Sequence, residues 1–268
     1  MLGKLGENRE GRATPMHTLQ KANVGKRIIA AIFDGVLLSV LVVGLIALFS
    51  FLFQTDAYLE KVNNAYAKYE TAYGIEFQIS QEEYEALSEQ KQQDWDTAYQ
   101  ELTADSEAMY AYNMWVNLTL LITTFGVLLG VAIIEFILPL FFRNGQTIGK
   151  KIFGIALMHK DGIRVNNVQL FTRAVLGKFA IELMIPLYIV LMIALNSIGV
   201  ISIVVLLALA IAQVVCLIVT RTNSLLHDVL AGTVAVDMES QRIFENREEL
   251  IEYTKKLHAK QVGEASSF

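Results

Sequence analysis

Four long apolar runs separated by polar stretches of unequal length organise this sequence: residues 28–53, 115–142, 172–195 and 198–220. Each exceeds the roughly 20 apolar residues that an α-helix needs to cross about 30 Å of hydrocarbon. One such run is compatible with a buried helix of a soluble protein, but four within 268 residues make that reading remote. The pattern predicts an all-α polytopic membrane protein with four transmembrane helices. The hydrophobic content of 54% agrees. The first run is far longer than the apolar core of a signal peptide and is followed by no small-residue cleavage site, so it is expected to stay as a helix.

Charge orients the runs. Lys and Arg number six in residues 1–27, three in 54–113, six in 143–173 and six from Arg221 onward. By the positive-inside rule both termini and the 143–171 loop are cytoplasmic, and residues 54–113 are outside. An even number of spans is consistent with this N-in/C-in arrangement, with residues 1–27 and 221–268 as cytoplasmic segments. The link Asn196-Ser197 between the last two spans carries no charge.

The outer segment holds the acidity. Residues 54–113 contain thirteen Asp or Glu against Lys61, Lys68 and Lys91, a balance of −10, whereas the whole chain is at −5. Ser80 with Glu83 three residues on is a capping box, and Tyr84, Leu87, Trp95, Tyr99 and Leu102 recur near helical spacing. Gly74 ends the preceding helix. Together with Tyr58, Tyr66, Tyr69 and Tyr73, these features predict a helical extracytoplasmic insertion between the first two spans. Its acidity suits a solvated surface better than a cation-attracting mouth or a docking face.

Several chemistries find no support. The single cysteine, Cys216, lies in the last apolar run, and His17, His159, His227 and His258 have no ligand spacing, so neither a disulfide framework nor a metal site is expected. No nucleophile and base set marks an enzyme, no basic aromatic surface marks a nucleic-acid binder, and no cofactor is implied. Gly149-Lys150 has the wrong glycine spacing for a phosphate-binding loop, and Lys151 stands where Ser or Thr is needed. Beyond it, residues 153–159, a Lys160-Asp161-Gly162 turn and residues 163–165 predict a small cytoplasmic β-hairpin, to which a strand-like run over residues 233–236 is a candidate addition. Asn166 or Asn167 then caps the helix entering the third span.

Three segments match a known family. Arg27-Ile-Ile-Ala30 with Asp34, GQTIGKKIFGI from Gly145 to Ile155, and LHDVLAGTVAV from Leu226 to Val236 resemble, in this order, the signatures of the RDD family of bacterial membrane proteins. The family is named for one Arg and two Asp, which fall on Arg27, Asp34 and Asp228. The second and third segments place Gly145, Thr147, Gly149, Lys150, Gly154, His227, Gly232 and Thr233 among the motif residues. The resemblance covers the membrane core and the 143–171 loop, with residues 54–113 as a variable insertion. It implies a multi-pass location in the bacterial plasma membrane. Its activity is poorly defined, with cation or solute transport the usual suggestion.

The intramembrane charges point the same way. Asp at mid-bilayer costs about 2.5–3.5 kcal/mol on insertion scales, so an ionisable group kept there is a candidate functional residue. Asp34 lies seven residues after Arg27, about 10 Å along a helix at 1.5 Å per residue, too far for direct pairing unless Arg27 bends inward. Glu135 lies eight residues before Arg143, at a similar depth, and Lys178 with Glu182 has the spacing of a local salt bridge. Both glutamates precede a proline by four residues, Pro139 and Pro186; of the three prolines only Pro15 is elsewhere. In an α-helix that spacing leaves the glutamate's own carbonyl without its donor, adding a cation ligand beside the carboxylate. Asp228 is placed on a short amphipathic helix, residues 224–231, within reach of Arg27 or the loop.

Two functions remain open. The first is a small secondary transporter exchanging protons for a monovalent cation through Asp34, Glu135 and Glu182, with Arg27 and Lys178 as countercharges, and oligomeric because four helices enclose little space. The second is a noncatalytic membrane scaffold or assembly factor binding a membrane partner protein, in which the charged cluster is a structural ionic lock. In both, the lipid bilayer is the immediate partner, and basic residues at the inner surface anchor to anionic lipid.

Overall fold

The computed structural model describes residues 6–7, 13–14, 19–142, 144–194 and 200–265. Expectations that rest on Pro15, His17, Arg143, Leu195, Asn196, Ser197 and Ile198 lie outside them. The short strands β1 (Gly6–Glu7) and β2 (Ala13–Thr14) pair antiparallel. Helices α1 (Val24–Leu52), α2 (Thr55–Tyr73), α3 (Gln81–Glu85), α4 (Glu89–Ala104) and α5 (Ser106–Val131) follow. The last continues as a π-helix, Ala132–Ile137, into α6 (Leu138–Phe141). Next come α7 (Ile148–Ile152), β3 (Ile155–His159) and α8 (Asn167–Phe171), which runs into a second π-helix, Thr172–Met184, and α9 (Ile185–Ala194). The chain ends with α10 (Val200–Val219), α11 (Leu226–Ala231), β4 (Thr233–Asp237) and α12 (Arg247–Ala265). Residues Leu41–Val127 form one compact unit, and the described residues on either side form another.

Among the described residues, two helices are long and apolar enough to cross a membrane: Val24–Leu52, of 29 residues, and Ser106–Phe141, of 36. Helix α1 starts where the Asn23 side chain accepts from the Gly25 N–H at 2.7 Å, and α5 where Asp105 accepts from the N–H groups of Glu107 and Ala108. At 1.5 Å per residue, α1 exceeds the hydrocarbon thickness. It buries only Ala30 and Asp34, and Ile28, Ile32, Val36, Val40 and Val43 are each more than half exposed. A continuous exposed surface of branched aliphatic side chains is what lipid covers and water disfavours. A shorter apolar helical stretch, Ile203–Val219, lies in α10.

In the Leu41–Val127 unit, α2 packs on α4. Tyr69, Leu102 and Ala108 make its core, with Tyr66, Tyr73 and Phe77 against them. Trp95 stacks on Tyr99 at 5.3 Å and meets Phe77 and Tyr84 edge-on. The ends of its helices follow local chemistry. The Gly74 N–H closes α2 on the Glu70 carbonyl, and the Ser80–Glu83 box opens α3 with both of its hydrogen bonds.

In the other unit β3 and β4 form a two-stranded antiparallel sheet with Ile155 opposite Asp237 and His159 opposite Thr233. Alternation puts Ala156, Met158, Val234 and Val236 on one face. Ile155, Leu157 and Ala235 face the other way, toward Ala22, Ala30 and Leu170. The expected hairpin over residues 153–165 is therefore corrected. The Asp161-Gly162 turn forms, with the Gly162 N–H donating to the His159 carbonyl at 2.9 Å, but the returning arm pairs only through a bridge from Arg164 to Met158. The full partner of β3 is β4, which buries a complete apolar face that residues 163–165 are too short to supply. Asn166 caps α8 in a reciprocal box with Gln169.

Candidate functional site

The buried charges of the sheet-containing unit meet in one continuous network, and its hub is Arg173, at the start of the second π-helix. Arg173 donates from Nε to Asp228 Oδ1 at 2.8 Å, from Nη1 to Glu135 Oε2 at 3.1 Å, and from Nη2 to His227 Nε2 at 2.9 Å. A guanidinium can only donate, so His227 Nε2 accepts and the proton of the neutral ring sits on Nδ1. Nδ1 then donates to Glu182, 2.8 Å from Oε1. Gln213 of α10 adds a donor to the same Glu182 oxygen at 2.7 Å.

The π register explains the grip on Glu135. Bonds run five residues back, as from the Leu138 N–H to the Ile133 carbonyl, so side chains five apart share a face. Arg173 and Lys178 are five apart, and both reach Glu135, Lys178 by a short contact to Oε1. Lys178 and Glu182, four apart, do not form the local pair expected of an α-helix: Lys178 binds Glu135, and Glu182 binds His227 and Gln213. Pro139 follows the first π-helix directly, in α6, and Pro186 follows the second, in α9.

At the other side of the network Asp34, on α1, accepts from the Thr147 hydroxyl and from the Gly149 N–H, the latter at 2.7 Å. Thr147 caps α7, and its Oγ1 accepts from the Lys150 ammonium at 3.1 Å. Gly149 is required by close approach: a Cβ there would lie 2.5 Å from the Ala30 carbonyl oxygen and 2.9 Å from the Asp34 carboxyl. Lys150 Nζ stands 3.6 Å from Glu135 Oε2 and 4.0 Å from Asp34 Oδ2 and so joins the two carboxylates. Arg27 turns away from Asp34. Its Nη2 lies 3.5 Å from Asp228 Oδ2, and its Nη1 donates to the Asn223 carbonyl at 2.6 Å.

The chain of contacts thus links four cations, Arg27, Lys150, Arg173 and Lys178, to four carboxylates, Asp34, Glu135, Glu182 and Asp228. With His227 neutral the formal sum is zero. Among the described residues no buried side-chain nitrogen or oxygen lacks a partner. Burial alone would raise the Asp228 carboxyl, but Arg173, His227 and Arg27 hold it well below the usual carboxylate range. Burial pushes the His227 imidazole down, which keeps it neutral. Burial, assisted by Arg173 and Lys178, pushes the Lys150 ammonium down to about 7 against the pull of Glu135 and Asp34. A cavity of about 150 Å³ borders the network, with Asp34, Lys150, Arg173, Lys178 and Asp228 in its wall. Among the described residues no three His, Cys, Asp or Glu side chains gather as a metal ion would require.

The RDD family model matches residues 21–232, most of the chain. This protein belongs to the RDD family. No curated protein and no solved structure matches it. RDD proteins are membrane proteins, in keeping with the two long apolar helices. Arg27, Asp34 and Asp228, to which the sequence resemblance assigned the family's Arg and two Asp, divide between the ends of the network: Asp34 with α7, and Arg27 with Asp228. Other residues of the three resembling segments hold these positions. Thr147 and Gly149 bind Asp34, while Thr233 donates to Asp228 Oδ1 at 3.0 Å. Gly232 ends α11 in the left-handed conformation, φ +64°, so that Thr233 can turn back onto Asp228. Gly145 and Gly154 flank α7 in the turns that connect it to α6 and β3.

Sequence reasoning counted Arg173 only as a basic loop residue, because it stands at the edge of an apolar run. Its one legible signal was that, with Lys178, it is a cation inside a segment that otherwise reads as a span. Gln213, polar in the middle of the last run, was the other overlooked signal.

Proposed function

We propose that this RDD protein is a four-span protein of the bacterial plasma membrane, with both termini cytoplasmic, that exchanges protons for a monovalent cation. Helices α1 and α5 supply two spans. The apolar helical stretches over residues 172–194 and 200–219 supply the others, and the distribution of Lys and Arg supports the orientation. The observation that carries the reading is the charge balance of the buried network beside a cavity. Four cations oppose four carboxylates, so in a low dielectric a charge can leave only if another of the same sign replaces it. That requirement is the physical basis of exchange. Asp34 and Glu135 hold the exchanged charge, Glu182 communicates with them through His227 and Arg173, and Arg27 and Lys178 act as fixed countercharges. The process is transport and involves no catalysed reaction. A homo-oligomer would enlarge the enclosed space.

The test is proton and Na⁺ movement in liposomes holding the purified protein, with Asp34→Asn alongside. Flux in the parent and none in the folded variant supports the reading. Silence of the parent across pH, Na⁺ and K⁺ gradients overturns it.

Complete hydrogen bonding favours a second reading, a structural lock in a noncatalytic scaffold or assembly factor, since fully paired buried charges can serve to fix helix register. That reading expects no flux, and loss of a copurifying membrane partner when residues 60–105 are deleted.

A further inference from the structure

The Lys150 ammonium sits among three oxygens from three elements: Thr147 Oγ1 at 3.1 Å, Glu135 Oε2 at 3.6 Å and Asp34 Oδ2 at 4.0 Å. The Thr147 hydrogen is committed to Asp34, so the lone pairs of its oxygen face the ammonium. Two carboxylate oxygens and a hydroxyl are hard ligands of the kind alkali cations take. Here they surround a cation that is tethered to the chain and borders the cavity.

We propose that Lys150 is the resident cation of an exchange site, giving up its proton when a monovalent alkali cation takes its place among these oxygens and regaining one when that cation leaves. The inference rests on the transport reading above and adds the residue that carries the proton. The balance is one for one. The ammonium loses H⁺ to become a neutral amine, the alkali cation enters, and the cluster keeps its zero charge. No other bond forms or breaks.

The groups that face Lys150 set its behaviour. Asp34 from α1 and Glu135 from the first π-helix hold the charge, while Arg173 and Lys178 from the second π-helix repel it. Burial and these two cations bring the ammonium to about 7, where both protonation states are within reach at neutral pH. Its neighbour Lys151 lies 4.1 Å over the Phe142 ring and takes no part. A calcium ion would overcharge the site and requires six to eight oxygens.

The experiment is NaCl addition to the purified full-length protein in weakly buffered detergent, with choline chloride as control, reading proton release with a pH indicator and Na⁺ binding with ²²Na⁺. The parent is expected to release one proton per Na⁺ bound, with the half-saturating Na⁺ concentration rising about tenfold for each pH unit below 7. Lys150→Gln should bind Na⁺ without proton release and without pH dependence. Lys150→Arg keeps the charge, and the folded variant should neither bind Na⁺ nor release protons. Parental proton release in Lys150→Gln, Na⁺ binding in Lys150→Arg, or no Na⁺-driven release in the parent overturns the proposal. The transport reading fails separately if the parent exchanges Na⁺ for H⁺ at the site but moves neither across a liposome membrane.

Discussion

Arg173 Nε donates to Asp228 Oδ1 at 2.8 Å, joining the start of the second π-helix to α11, 55 residues away, with both side chains buried. The same guanidinium holds Glu135 and His227, so one side chain fixes three elements relative to one another. A buried pair that loses one partner leaves an uncompensated charge, which costs about 3–5 kcal/mol.

Arg173→Met and Asp228→Asn should each lower stability by about that amount, and the double variant should lose less than the sum, with a coupling of roughly 0.5–3 kcal/mol. Thermal unfolding in detergent provides the measurement. Additive losses would show that the two side chains do not act as a pair.

Stability should depend on pH at two ends. Asp228 has a depressed folded pKa, so its contribution is present above about pH 4, its unfolded range, and is lost as pH falls through the folded value. Lys150 is also depressed, to about 7, and the sign is the same. Between about pH 7 and 10 the unfolded chain binds the proton that the folded chain has released, so stability rises with pH across that window. Lys150→Met should flatten the rise while leaving the acid limb in place.

Gly149→Ala should disrupt the site from a distance of one methyl group. The added Cβ would meet the Ala30 carbonyl oxygen at 2.5 Å and force α7 away from Asp34. Overpacking of this kind costs about 1–3 kcal/mol. Normal stability and flux in Gly149→Ala would show that the approach of α7 to α1 is dispensable.

The proposed orientation is open to single-cysteine labelling with Cys216 replaced by Ser. Gln93→Cys, on the exposed surface of α4, should react with an impermeant maleimide in intact cells. Gly162→Cys, in the turn after β3, should react only after permeabilisation. The reverse pattern would invert the protein in the membrane.

Much of this architecture was legible because its causes are local. The apolar runs, the Ser80–Glu83 box and the Gly74 and Asn166 caps all follow from spacing or capping chemistry within a few residues. What escaped depends on geometry that a sequence does not display. Nothing in the residues over 172–184 announces a π register, and without it Lys178 points to Glu182 instead of Glu135. Residues 233–236 were legible as a strand, but only as an addition to a local hairpin: the Asp161-Gly162 turn supplies a strong nearby signal, and that β4, more than seventy residues away, is the full partner of β3 follows from the second arm being too short to fill the face. Arg173 was overlooked because a cation at the end of an apolar run ordinarily lies at the membrane surface, and only the fold buries it.

In the proposed function, charge balance in the network drives one-for-one exchange. It is tested most directly by the double variant Asp34→Asn with Lys150→Gln, which removes one charge of each sign and leaves three against three. In proteoliposomes carrying a Na⁺ gradient, the account predicts that the parent exchanges Na⁺ for H⁺ and that the double variant, folded and with an unfolding temperature closer to the parent's than that of Asp34→Asn alone, exchanges neither. Undiminished exchange in the double variant would contradict it.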